Sequence, residues 1–223
     1  MSRNILVVAP HADDETLGPG GSLLRHADEG DEIFWLIMTN KFEKDGFPKD
    51  DVDARNKEIE REAECFGFNE IWRLNYSPGK LDKADTIEII EDLTKAFNSI
   101  KPEIVYLPFS NDVHSDHRIT SEAVIACSKT FKFPTIRSFR VYETVSQTEF
   151  GSNLYRESFH PNLWIDISGF LSKKIEIADI YESEIADHPF PRSSKNIESI
   201  ASFRGATMGV ASAESFIIIK EII

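Results

Sequence analysis

Two short segments hold most of the residues in this chain that could do chemistry: His11-Ala12-Asp13-Asp14-Glu15 and His114-Ser115-Asp116-His117. The first delivers an imidazole and three carboxylates directly after the apolar run Ile5-Leu6-Val7-Val8-Ala9, and the second follows Ile104-Val105-Tyr106-Leu107. Unpaired carboxylates beside an apolar core cost several kcal/mol, and they are kept by pairing them or by coordinating a metal. His11 and Asp14 are three residues apart, as are His114 and His117, so each pair projects from one face if its segment turns into a helix. A catalytic zinc site takes three nitrogen or oxygen ligands and leaves a position open. The clusters offer His, His and Asp with carboxylates to spare, and spacing alone does not choose between His114 and His117. A metal lowers the pKa of bound water to about 7. Hydrolysis also needs a group that takes the proton and later delivers it, and Asp13, adjacent to Asp14 and directed elsewhere, is the candidate. Taken singly, Asp13 or Asp14 reads as a cap for a helix beginning near Thr16. Two ligand-rich clusters, both after apolar strands, in a chain with six histidines favour the metal.

The elements that must position these clusters alternate. Strand-like runs fall at 4–9, 31–38, 70–74 and 103–107, separated by amphipathic helical stretches at 19–29, 51–67, 84–100 and 117–130. In the helix at 51–67, Ile59, Ala63 and Phe66 share a face opposite Glu58, Glu60, Arg61 and Glu64. Asp85 or Thr86 caps the helix at 84–100, whose apolar stripe reads Ile87, Ile90, Leu93 and Phe97. Further strands at 138–142, 162–167 and 215–221 and helices at 169–181 and 194–204 complete the chain. Alternation predicts an α/β fold, a Rossmann-like mostly parallel sheet with helices on both faces. Ligands of such sheets bind outside the carboxyl ends of the strands, where both clusters sit. With no linker, repeat or low-complexity tract, the expectation is one domain over residues 1–223. Long loops at 40–50, 75–83, 143–160 and 186–193 would rim the cleft and select substrate. Gly18-Pro19-Gly20-Gly21 lacks the order of a phosphate cradle and reads as close packing of helix on sheet.

Composition excludes some partners. A formal net charge of -13 offers no surface for nucleic acid or an anionic membrane. No apolar run reaches the roughly 18 residues of a membrane span, and Met1-Ser2-Arg3-Asn4 leads into a strand instead of a signal peptide. The expectation is a cytoplasmic protein in which Cys65 and Cys127 are free thiols on helices. His26 reads as exposed on its helix, and His160 and His188, each before a proline, as loop surface.

Together the two clusters resemble the PIG-L/LmbE family of metal-dependent N-deacetylases, whose signatures are a His-Pro-Asp-Asp-Glu turn after the first strand and a later His-x-x-His. Arg55-Asn56-Lys57-Glu58 in a helix ending Cys65-Phe66-Gly67, the segment 161–167 with Lys174, and Phe203-Arg204-Gly205, Gly209 and Ala213-Glu214-Ser215-Phe216 are similar to later family patterns. Ala12 and Ser115 replace frequent prolines, which removes rigidity but no ligand, and Tyr181-Glu182-Ser183-Glu184 stands where many members have His-x-Ser-Gln. The resemblance implies that His11, Asp14 and His117 hold zinc or another divalent transition metal and that Asp13 is the general base. It further implies that His114 stabilises the oxyanion and that Asp116 orients an imidazole. Arg55 would enter the cleft to bind substrate, although an ion-paired surface arginine fits equally. The implied reaction removes acetate from an N-acetylated sugar or glycoconjugate. Hydrolysis of a phosphoester or a non-sugar amide, or a metal-binding module without turnover, are the other readings. A phosphoesterase would want positive charge near the site, where only Arg118 is close in sequence, and a module without turnover would be expected to have lost a ligand or the base.

Overall fold

The structure is a computed structural model that describes residues 2–151 and 158–223. Its elements run β1 (Asn4–Ala9), α1 (Asp14–Leu17), α2 (Gly20–Asp28), β2 (Glu32–Thr39), α3 (Lys49–Phe66), β3 (Glu70–Tyr76), α4 (Thr86–Ile100), β4 (Ile104–Pro108) and α5 (Ser115–Ala126). There follow β5 (Ser138–Tyr142), α6 (Thr148–Gly151), β6 (Leu163–Asp166), α7 (Leu171–Ala178), α8 (Ser194–Met208) and β7 (Ala213–Glu221). The seven strands form one sheet in the order β3-β2-β1-β4-β5-β7-β6. β1 to β5 are parallel, and β7 enters antiparallel between β5 and β6. All seven expected strands form, within two residues of their expected ends.

Successive residues of a strand point to opposite faces, and that period sorts the core into two halves. Leu6 and Val8 of β1, Phe34, Leu36 and Met38 of β2, and Val105 and Leu107 of β4 pack with Leu93 and Phe97 of α4 and Val124 of α5. Ile5, Val7 and Ala9, with Ile33, Trp35 and Ile37, face the other way onto Leu23 of α2, Ile59 and Phe66 of α3 and Ile177 of α7. The central strands are therefore apolar on both sides, as a covered parallel sheet requires. Each fully buried aliphatic contributes roughly 1.5–3 kcal/mol.

Local chemistry explains where the elements stop. α3 ends where Gly67 turns into the left-handed region at φ 74, its N–H returning to the carbonyl of Ala63. Asp85 caps α4 by accepting from the N–H of Ile87. The apolar face of α4 differs from the expected stripe: Ile89, Leu93, Phe97 and Ile100 are buried, while Ile87 is 66% exposed. Positions separated by two residues on a helix are about 200° apart, so a face centred on Ile89 turns Ile87 outward. The helix expected at 19–29 is preceded by the short α1, and Gly18-Pro19 separates the two because proline cannot donate within a helix. A side chain at Gly18 would lie 2.5 Å from the Tyr142 ring and one at Gly21 2.8 Å from Ile167. These glycines are the close packing that their sequence suggested. α5 stops at Ala126 instead of 130, leaving Cys127 just beyond it; Cys127 and Cys65 are free thiols. Residues 152–157 of the loop expected at 143–160 lie outside the described residues. No helix among the described residues is long and apolar enough to cross a membrane.

Candidate metal centre and its family

β1 and β4 are neighbours, but the chain leaves them towards opposite sides of the sheet order, so the space beyond their carboxyl ends is a topological switch point. After β1 the backbone turns through His11 into α1. After β4 the loop 109–114 ends in α5, and His114 occupies its N-cap. The two clusters meet there: the His11 ring centre is 4.6 Å from that of His114 and 5.5 Å from that of His117.

Hydrogen bonds assign the ring nitrogens. His11 directs Nε2 at Asp116 Oδ2, 3.0 Å away, and His117 directs Nδ1 at Asp112 Oδ2, 2.8 Å away. A carboxylate only accepts, so each of these nitrogens carries a proton, and in the neutral ring the other nitrogen keeps a lone pair. The free lone pairs, His11 Nδ1 and His117 Nε2, both lie 3.2 Å from Asp14 Oδ2. Asp14 Oδ1 and His117 Nε2 are buried without a hydrogen-bond partner among the described residues. Two lone pairs aimed at a carboxylate repel it unless positive charge lies between them. The same demand appears in titration. Burial alone would lower both imidazoles, yet hydrogen bonds to Asp116 and Asp14 push His11 up to about 10, and Asp14 and Asp112 push His117 up to about 9. One atom each from His11, Asp14 and His117 lies within 4.8 Å of the others. Two nitrogens and one oxygen, each imidazole backed by a carboxylate, suit zinc or a similar divalent ion.

Asp13 lies against this group. It precedes α1 with φ 140, a conformation that L residues avoid and that costs on the order of 1–3 kcal/mol. Its Oδ2 accepts from Arg192 Nη1 at 2.8 Å, while Oδ1 is buried without a partner among the described residues. Burial and the charge of Asp14 raise its carboxyl to about 6, against the pull of Arg192 and Arg55. Glu15 turns inward towards Glu62, and burial with that second carboxylate pushes it well above its ordinary range. His114 accepts the N–H of Asp116 at Nδ1, so in the neutral ring Nε2 carries the proton. Burial, reinforced by the charge on His11, lowers His114 to about 4 and keeps it neutral. Asp116 also accepts the N–H groups of Gly79 and Leu81, fixing the loop after β3 to the centre.

The cleft above the centre has a volume of about 220 Å³ and is lined by His11, Asp13 and His114 together with Thr39, Asn40, Lys41, Arg55, Pro78, Gln147, Glu184 and Arg192. All seven residues singled out from sequence therefore converge, Arg55 on the cleft wall and Asp14, Asp116 and His117 beneath it. Arg118 does not join them; its guanidinium donates to the carbonyls of Asp112 and Val113. Arg118, the cation close to the clusters in sequence, is thus not the one that faces the cleft: Arg55, expected there, is joined by Lys41 and Arg192 through tertiary structure. Sequence reasoning also missed Asp112, whose only signal is that a ligating histidine needs an acceptor for its second nitrogen. His160 and His188 are exposed, as expected. His26 is not: it is 6% exposed and bonded to Asp31 and the Tyr106 hydroxyl.

Known proteins share this arrangement to different depths. A diacetylchitobiose deacetylase of Thermococcus kodakarensis is 22% identical over 221 residues, covering 95% of this chain and 81% of that protein. A conserved protein of Thermus thermophilus superposes with a TM-score of 0.78 at 25% identity, covering 99% of this chain and 96% of that one. The same fold, at 18% identity and a TM-score of 0.74 over 99% and 98% of the two chains, also serves a 4-carboxy-2-hydroxymuconate hydratase of Pseudomonas putida. Fold alone does not choose the reaction. Residues 6–128, more than half of the chain and spanning both clusters, match the family model PIG-L, GlcNAc-PI de-N-acetylase. The chain belongs to the PIG-L family of de-N-acetylases and is an enzyme acting on N-acetyl amide bonds.

Proposed function

We propose that the enzyme is a zinc-dependent hydrolase that removes the acetyl group of an N-acetylglucosamine-type sugar held in a glycoside or larger conjugate, releasing acetate and the free amine. The observation that carries this reading is Asp13, a buried carboxylate with one oxygen unpartnered, next to the Asp14 carboxylate on which two imidazole lone pairs converge. His11, Asp14 and His117 would hold the metal, which when bound supplies Lewis acidity to the acetyl carbonyl and to a water. Asp13 takes the proton of the attacking water at Oδ1 and returns it to the nitrogen as the amide bond breaks. Arg192, on Oδ2, keeps that carboxylate aimed and ionised at neutral pH. His114 donates its Nε2–H to the oxygen that gains charge, and it can do so without changing its own protonation. Asp116 and Asp112 hold the two ligating rings in the correct tautomer. The cleft lies at the small end of ligand cavities, so it suits one sugar unit with the aglycone on the rim. The similarity to a diacetylchitobiose deacetylase supports an N-acetylated sugar as the class.

The test is acetate release from free N-acetylglucosamine, its glycosides and N-acetylated amino acids by the zinc-loaded enzyme, beside its Asp13→Asn variant. Glycosides should be the best substrates, and Asp13→Asn should keep one metal per chain while turnover falls by about 10² to 10⁴. Equal efficiency on N-acetylated amino acids would remove the sugar assignment. Wild-type turnover in Asp13→Asn would remove Asp13 as the base.

A further inference from the structure

Glu184 stands among the cations of the cleft. Its Oε1 is 2.7 Å from Arg55 Nη2 and 3.8 Å from Lys41 Nζ, and its Oε2 is 3.1 Å from Arg192 Nη1. The two guanidinium groups make further contacts within the protein. Arg55 donates to the carbonyl of Ala12 and lies 3.0 Å from Glu58, and Arg192 bonds Asp13 and Ser146. Three cations on one wall would by themselves make a strong subsite for a carboxylate or phosphate. With Glu184 bridging all three and Asp13 and Glu58 beside it, the wall carries as many negative charges as positive ones among the described residues. An anionic group entering here must displace Glu184 or sit against it, and like charges brought together in a cleft are a strong means of refusing a ligand. A hydroxyl meets no such opposition, since the carboxylate accepts from it and Lys41 donates to it.

Resting on the deacetylase reading above, we propose that Glu184 is the residue that selects substrate by charge: it neutralises the Lys41, Arg55 and Arg192 wall so that the cleft accepts an uncharged, hydroxyl-rich aglycone and rejects an anionic one. The residue acts on recognition of the part of the substrate remote from the amide, so its removal changes the ratio between substrates. Glu184→Gln keeps an acceptor for Arg55 and deletes only the charge, leaving two guanidinium groups and an ammonium without their shared counter-ion.

Two N-acetylglucosaminides of nearly equal size test this: the disaccharide of N-acetylglucosamine linked to glucose, and the one in which glucuronic acid replaces that glucose. Acetate release by the zinc-loaded enzyme should give a kcat/KM at least about tenfold higher on the neutral disaccharide, and Glu184→Gln should move that ratio about tenfold or more towards the acid. Metal content and thermal unfolding of the variant report its fold, and Glu184→Ser supplies the same charge deletion should Gln prevent folding. Competitive inhibition by free glucuronic acid, set against glucose, reads the same selectivity and should tighten for the acid alone in either variant. A wild-type enzyme that prefers the acidic disaccharide, or a ratio unmoved by both variants, overturns the proposal while leaving the deacetylase reading intact. Release of acetate from neither disaccharide or from any other N-acetyl sugar overturns both.

Discussion

Among the described residues, histidine and carboxylate gather with metal-like spacing at opposite ends of the same sheet. At the carboxyl ends of β1 and β4, His11, Asp14 and His117 converge; at the amino end of β2, His26, Glu29 and Asp31 do. What separates them is valence left over. His26 uses Nδ1 on Asp31 and Nε2 on the Tyr106 hydroxyl, and Asp31 is bridged by Arg3, which already supplies the cation. In the other cluster His117 Nε2 and Asp14 Oδ1 are buried with no partner among the described residues, and among those residues Asp14 forms ion pairs only with His11 and His117. Titration divides them in the same sense: burial prevails at His26 and lowers it, whereas neighbouring carboxylates prevail at His117 and raise it. Distance between ligand atoms is thus a weak criterion for a metal site, and an unfilled lone pair inside the protein is a strong one.

The sharpest way to break this contrast is to delete one histidine from each end. His117→Ala should lose the bound metal and reduce acetate release to background, whereas His26→Ala should keep one metal per chain and lose about 1–3 kcal/mol of stability from its broken buried hydrogen bonds. Elemental analysis and denaturant unfolding measure the two, and retained metal in His117→Ala would end its role as a ligand. A smaller effect concerns the carboxylate behind the ring. Asp112→Asn leaves every ligand in place but removes the negative charge behind the His117 Nδ1–H and puts an amide that also donates beside it, so metal affinity, read by chelator competition, should fall about 10- to 100-fold. Asp31→Asn, its counterpart at the other end, should leave metal affinity alone.

The smallest effect is a slope. His26 has a lowered folded pKa, so below the ordinary value of about 6.5 the unfolded chain takes up a proton that the folded chain refuses. Stability is therefore lost as pH falls through that value towards the folded pKa, by at most about 1.4 kcal/mol per pH unit. Comparing the pH dependence of thermal unfolding between wild type and His26→Gln from pH 7 to 5 isolates it. The wild type should show the steeper loss, and identical slopes would mean that His26 is accessible to protons in the fold.

The two ends also show why sequence disclosed some of the site and hid the rest. His11, Asp13, Asp14, His114, Asp116 and His117 each follow an apolar strand within nine residues, so local pattern carries them to the same edge of the sheet. Asp112 lies five residues before the ring it supports, a separation with no regular meaning in a loop. Arg192 and Glu184 come from segments about 180 and 170 residues beyond Asp13 and are joined to it only by tertiary packing. His26 misleads in the opposite direction: one histidine on an amphipathic helix reads as solvent-facing, and its burial rests on the Asp31 carboxylate and the Tyr106 hydroxyl of β4, which partner its two ring nitrogens. Late residues without a legible role prove to be struts. Glu214 accepts the N–H groups of Gly21 and Ser22 and the ammonium of Lys174, tying β7 and α7 to the start of α2, and Arg204 forks onto Glu143. The fold was more legible than the cleft, because strand period and alternation are local properties and a cleft wall is not.

The φ of 140 at Asp13 has an evolutionary side. Glycine would occupy that turn without steric penalty, and its loss of the carboxyl would also relieve Asp14 of a like charge. Drift towards firmer folding at this position therefore runs directly into loss of the group with the free oxygen, so selection on stability and selection on turnover pull one codon in opposite directions. A descendant that kept the scaffold and abandoned the reaction would have this residue among the first to relax.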